Sequence, residues 1–198
     1  MGNGRAMIFI DGSNLYGSML TYDPTTPNRL DFEKLSEELV KSCNADSYEG
    51  AYYYCSYAPT LPTSTQRQIE GIKRLLKLFE AIEYKTGYTV KKAARKVRET
   101  HCRQCAAKTL ITVEKGTDSS LITDMLSLAW ENAFDIAILV SDDSDFKPAV
   151  EFLRGKGKKV YHATFTTMKS GQALRKACFS QISLEKILTV ALRPPITP

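Results

Sequence analysis

The sequence predicts a three-layer α/β/α domain with a mostly parallel central sheet. Three observations lead there. Short apolar runs of strand length alternate with amphipathic helical stretches along the whole chain, the pattern of a parallel sheet covered on both faces. Two of these runs, 6–10 and 135–140, are nearly continuous in apolar residues, as strands buried on both sides must be. Acidic segments then stand where strands give way to turns or helices: Asp11 after Ile8-Phe9-Ile10, Glu114-Lys115-Gly116-Thr117-Asp118 followed by Asp124, and Asp142-Asp143-Ser144-Asp145 after Ile138-Leu139-Val140-Ser141. The carboxyl ends of parallel strands are where such sheets bind ligands.

Taken in order, Ala6–Ile10 is the first strand, and Asn14-Leu15-Tyr16 opens a helix or loop over the sheet edge. Pro24 and Pro27 make Tyr22–Arg29 a surface loop. Asp31 caps a helix reaching about Lys41. Residues 50–57 form a second strand, ended by Pro59 and Pro62. Ser64 or Thr65 caps an amphipathic helix through Glu80, with Ile69, Ile72, Leu75, Leu76 and Phe79 on one face. Ile82–Tyr84 reads as a strand, Gly87 as a turn and Tyr88–Val90 as a return strand. Together with the β-like Thr109–Val113, they make a basic, CxxC-containing insertion around 85–113. Asp118–Asn132 is a helix, Asp135–Val140 a buried strand, Phe146–Arg154 a helix, Lys159–Phe165 a strand and Gln172–Ala177 a helix. Ile182–Ile187 closes a single domain spanning 1–190, and 191–198 is a flexible tail.

The chain has 198 residues, 43% hydrophobic and 25% charged, which suits one soluble globular core. It has no apolar run long enough to span a membrane and no secretory leader pattern, and its five cysteines form no regular framework. The expectation is a cytoplasmic protein with no membrane contact. The net charge of +5 is unevenly spread. From Arg67 to Lys108 there are twelve basic and four acidic residues, and from Phe152 to Leu184 no acid at all. Basic flanks around an acidic centre suit a polyanion held by its phosphates and processed at a metal. Solvated helix faces would give the same composition.

Asp11 follows its strand directly, and Gly12 lets the chain turn, aiming the carboxylate out of the strand end. Asn14, three residues on, can hold a carboxylate or a water without adding charge. Asp118 stands at the start of a helix, and Asp124, six residues later, falls on a different side of it. Asp142, Asp143 and Asp145 lie within four residues, where they repel one another without benefit to folding. Two unit charges about 4 Å apart repel by roughly 4 kcal/mol at an effective dielectric near 20, so such a cluster needs a cation. A hard, oxygen-preferring ion, Mg²⁺ or Mn²⁺, fits. An EF-hand does not, because its glycine and terminal glutamate are missing.

With these residues in hand, the chain resembles the NYN domain family of the PIN-like nuclease superfamily. Ile8–Leu15 is similar to its opening strand and motif, Lys115-Gly116-Thr117-Asp118 with Asp124 to its central segment, and Leu139–Phe146 to its Ser-Gly-Asp-Gly-Asp-Phe signature. Asp142 and Ser144 stand where the family usually has glycine, and Cys178 where it often has aspartate. The resemblance implies a metal-dependent endoribonuclease hydrolysing phosphodiesters. Asp11, Asp118, Asp143 and Asp145 would ligate Mg²⁺ or Mn²⁺, with Asp124 behind them and Asn14 on the phosphate or a metal-bound water. Lys91, Lys92, Arg95, Lys96 and Lys115 would bind the strand. The substrate expected is RNA, single-stranded rather than duplex.

Two other readings remain open: a catalytically silent nucleic-acid-binding module on the same fold, and a phosphohydrolase of small nucleotides, against which the basic stretches argue. Cys102 and Cys105 form half a zinc site, to which His101 or a second chain in a homodimer could add. Disulfide exchange and inert thiols are the competing readings of these cysteines. Tyr52, Tyr53, Tyr54 and Tyr57 alternate along the second strand, where core and rim packing competes with base stacking.

Overall fold

The computed structural model describes residues 3–101, 104–167 and 171–194. Its centre is β1 (Arg5–Asp11), whose side chains alternate between two cores. Ala6, Ile8 and Ile10 enter one core, and Met7 and Phe9 enter the other. β1 pairs in parallel with β2 (Ser47–Tyr57) on one side and with β6 (Ile136–Val140) on the other. Beyond β2 lies β3 (Tyr88–Ala94), and beyond β6 lie β7 (Lys159–Thr164) and β8 (Ser180–Ser183). The order is β3-β2-β1-β6-β7-β8, and every pairing in this sheet is parallel.

Four helices cover one face: α1 (Gly12–Tyr22), α2 (Phe32–Ser42), α3 (Gln66–Glu83) and α7 (Leu184–Ala191). Leu15, Leu35, Leu39, Phe79, Ile82 and Ile187 fill the core beneath them. The opposite face carries α4 (Thr117–Trp130), α5 (Lys147–Gly155) and α6 (Gln172–Ala177), packed through Leu121, Met125, Val150, Leu153 and Leu174. The three-layer α/β/α architecture expected from the alternating pattern is therefore the one observed. The chain leaves β1 toward β2 and later returns to β1's other side as β6, so a topological switch lies between β1 and β6. A crevice outside the strand ends forms at such a point.

The structure departs from the sequence reading between 82 and 113. Ile82 is not in a strand: it continues the apolar stripe of α3, which runs to Glu83. Tyr88–Val90 belongs to β3, a parallel edge strand of the main sheet hydrogen-bonded to β2. The antiparallel hairpin lies later, as β4 (Lys96–His101) and β5 (Lys108–Val113). Local pattern shows that a segment is β-like, but pairing direction depends on which strand it meets. At the other end, the segment read as one closing element divides into β8 and α7, joined at Ser183, whose hydroxyl caps the helix. Thr65 rather than Ser64 caps α3, in a reciprocal capping box with Gln68.

Candidate nucleic-acid-processing site

The carboxyl ends of β1 and β6 are stitched together across the switch. Asp11 ends β1, is 6% exposed and caps α1, with Oδ1 accepting from the Asn14 backbone N–H at 3.0 Å. Its Oδ2 accepts from Ser141 Oγ, also at 3.0 Å. Gly12 is required next, because a Cβ there would lie 2.5 Å from the Tyr53 ring. Asn14 Oδ1 accepts from the Asp142 backbone N–H at 3.1 Å. The Asp143 N–H donates to Ser141 Oγ at 3.2 Å, and its carboxylate takes the Asp145 N–H at 2.9 Å, capping a short 3₁₀ turn over Ser144–Phe146. Gly116, at φ +93°, turns the chain into α4, whose first turn carries Asp118.

Electrostatics join these pieces. Burial first, and then the charges of Glu114 and Asp143, raise the pKa of Asp11 against the lowering effect of its two hydrogen bonds. Asp118 is raised as well, by desolvation and by the charges of Asp11, Asp143, Glu114 and Asp145. Like charges favour the protonated form of a carboxyl. Five carboxylates from three distant segments thus act on one another at the strand ends. Among the described residues, no group of three or more His, Cys, Asp or Glu stands close enough to hold a metal ion.

Of the residues singled out in the sequence, Asp11, Asn14, Asp118, Asp143 and Asp145 meet in this region. Asp124 does not join them. Its Oδ2 accepts from the Tyr54 hydroxyl at 2.9 Å and lies 3.5 Å from Lys91 Nζ, so it ties α4 to β2 and β3. The basic residues do not form one surface. Lys91 and Lys92 are adjacent on β3 and so point to opposite faces, Lys92 reaching Glu83 at 2.6 Å. Arg95 donates to Ser56 Oγ at 3.0 Å and to Glu114 at 3.2 Å. Lys96 and Lys115 are exposed.

Glu114 was not assigned a role from the sequence, although it heads the second acidic segment. Its position right after the apolar end of β5 is the signal that could have marked it. Asp142, an extra acid by sequence, turns away from the crevice. Its side chain is 6% exposed, accepts from Thr164 Oγ1 and lies 3.1 Å from His162 Nε2. His162 is fully buried, with Nε2 also 2.8 Å from the Ser141 carbonyl, which fits the packed residue expected rather than a ligand.

Cys43, Cys55 and Cys178 are buried free thiols, and burial pushes Cys55 and Cys178 up to about 12. The zinc reading needs Cys102, which lies outside the described residues; Cys105 is exposed. Tyr53 and Tyr54 are core residues, while the half-buried Tyr52 stacks on Phe9. No helix among the described residues is long and apolar enough to cross a membrane.

The NYN domain profile matches residues 5–185. No curated protein gives a significant sequence match. Among solved structures, a protein of unknown function from Vibrio parahaemolyticus aligns over 92% of this chain and 94% of its own, at 20% identity and a TM-score of 0.55, a likeness of fold. A nicotinamidase from Staphylococcus aureus aligns over 84% and 88% at 11% identity, with a TM-score of 0.30.

Proposed function

The chain belongs to the NYN domain family, and from that premise we propose that it is a metal-dependent endoribonuclease. The observation that carries this reading is the mutual electrostatic field of Asp11, Glu114, Asp118, Asp143 and Asp145 at the β1/β6 switch. A protein that only bound nucleic acid would gain nothing from repelling carboxylates in a groove meant for phosphates.

The donor set fits Mg²⁺ or Mn²⁺. It is made of oxygen atoms alone, and it carries excess negative charge that burial makes costly. Asp11, Asp118 and Asp143 would hold the ion, with Asp145 and Glu114 beside them. Such an ion neutralises charge building on a phosphate and lowers the pKa of a bound water. The chain's own groups supply the rest. Ser141 Oγ and the Asn14 N–H fix both oxygens of Asp11 in place. Because Asn14 Oδ1 is taken by the Asp142 N–H, its Nδ2 is the end left to donate to a phosphate oxygen or a water. Arg95 orients Glu114, which can accept a proton from an attacking water or align it.

The deciding experiment incubates purified protein with end-labelled single-stranded RNA and DNA, with Mn²⁺ or with EDTA. Internal cleavage of RNA that requires Mn²⁺ and stops in EDTA is expected. Binding without cleavage under every divalent ion tried would move the protein to the silent binding module.

A further inference from the structure

We propose that a groove along α3 takes unstacked bases of the single strand, so that this protein selects single-stranded RNA by base insertion beside the acidic cluster; this rests on the nuclease reading above. Three cavities, of about 490, 300 and 480 Å³, share Gly71 and Leu75 in their walls and so adjoin one another as a trough along α3. The middle one reaches Gly12 and Ser13, the residues directly after Asp11, and is bounded by Arg95, which holds Glu114. The middle cavity therefore adjoins the chain neighbours of Asp11 and the ion-pair partner of Glu114.

Its lining suits bases. Leu75, Leu78 and Phe79 make an apolar wall, and Tyr16, 42% exposed, stands at the rim. Ser13 and Ser56 add hydroxyls able to meet base edges. A flattened aromatic group fits such a space only when it has left its stack, which excludes paired strands. The edge of α3 supplies the charge for the backbone. Arg67, Lys73, Arg74 and Lys77 are all exposed on α3, and of these Arg74, 83% exposed, borders the trough, with its nearest carboxylate, Glu70, at 4.0 Å. A polyanion with aromatic side groups matches both features, whereas an amphipathic protein helix would match only the apolar wall.

Gly71 is the second, independent observation. It lies inside an 18-residue helix, where glycine is the poorest choice apart from proline. Its φ is ordinary, and a Cβ there would meet nothing within 4 Å, so neither backbone nor packing demands glycine. It lines all three cavities, so a side chain grown from it would enter the trough.

The test is a size series, Gly71→Ala, Gly71→Leu and Gly71→Phe. Binding of fluorescent single-stranded RNA is measured in EDTA, so that no step depends on cleavage, and is repeated with oligonucleotides carrying one abasic site at each position. Base–aromatic and base–apolar contacts of this kind are worth about 5- to 150-fold in affinity. The expected result is that affinity falls as the side chain grows and that Gly71→Phe loses the parent's sensitivity to the abasic site, while Tm stays equal or rises. Duplex RNA should bind alike to parent and variants. Unchanged affinity across the series, or an abasic profile identical in parent and Gly71→Phe, overturns the groove even if the parent cleaves RNA. Failure of the parent to cleave, with the series behaving as expected, overturns the nuclease reading and leaves the groove standing.

Discussion

At the scale of single residues, Asp143 and Asp118 play separable parts. Asp143 is held at its backbone by Ser141, and its carboxylate, one oxygen of which caps the 3₁₀ turn, adds to the charge acting on Asp118. Asp143→Asn is expected to abolish Mn²⁺-dependent cleavage and leave RNA affinity equal or slightly better, since a negative charge leaves the groove; rates and anisotropy on one preparation separate the two. Asp118 gives a pH prediction. A carboxyl whose folded-state pKa lies above its unfolded value, about 3.9, destabilises the fold in its ionised form. That penalty is absent below the unfolded pKa and complete above the raised one. Asp118→Asn should therefore raise Tm at pH 7 in the absence of divalent metal. The effect should be modest, because Asp118 is exposed and solvent screens its charge. The gain should vanish as pH falls through the carboxylate range. A variant less stable than the parent at pH 7 would mean that Asp118 is a structural cap and not a strained site residue.

At the scale of elements, β3 and the start of β4 decide what the basic stretch can do. The ion pairs of Lys91, Lys92 and Arg95 engage three of its four central cations within the fold. Lys96 begins the exposed hairpin. Lys96→Ala is expected to flatten the log–log salt dependence of single-strand binding by about 0.7, the value of one phosphate contact. Lys92→Ala, whose ammonium lies against Glu83 on the α3 face, should leave that slope unchanged. The two slopes, measured by titration at several salt concentrations, must differ if Lys96, and not Lys92, contacts the strand. Both substitutions remove surface charges, and each should change stability by under about 0.5 kcal/mol.

At the scale of the whole molecule, the parallel sheet brings Asp11 to acids over a hundred residues further along the chain, and burial and like charge disfavour the ionised forms of Asp11 and Asp118. A ligand that binds only the folded state stabilises by mass action, about 2.7 kcal/mol at a hundredfold excess over its dissociation constant. Mn²⁺ is therefore expected to raise Tm progressively, and the combined variant Asp11→Asn, Asp118→Asn, Asp143→Asn to lose that shift while staying folded. Calorimetry with and without Mn²⁺ checks this independently of any RNA. An identical shift in parent and variant would place the ion elsewhere.

The sequence by itself determined the layers, the strands buried on both faces and the three acidic segments. These depend on local periodicity and on which residue follows which: Asp11 stands at the end of an apolar run, Asp118 at the start of a helix, and Asp143 among three aspartates just after a buried strand. Tertiary structure alone decided the rest, because partners distant in the chain leave no local trace. The direction of β3 depends on its meeting β2. The removal of Asp142 from the crevice depends on Thr164 and His162 lying beneath it. The fate of Arg95 depends on Glu114 approaching from the far side of the hairpin. Asp124 looks like a fifth ligand along the chain, but in space the Tyr54 hydroxyl and Lys91 hold it, because the helix that carries Asp118 in its first turn turns Asp124 toward the sheet.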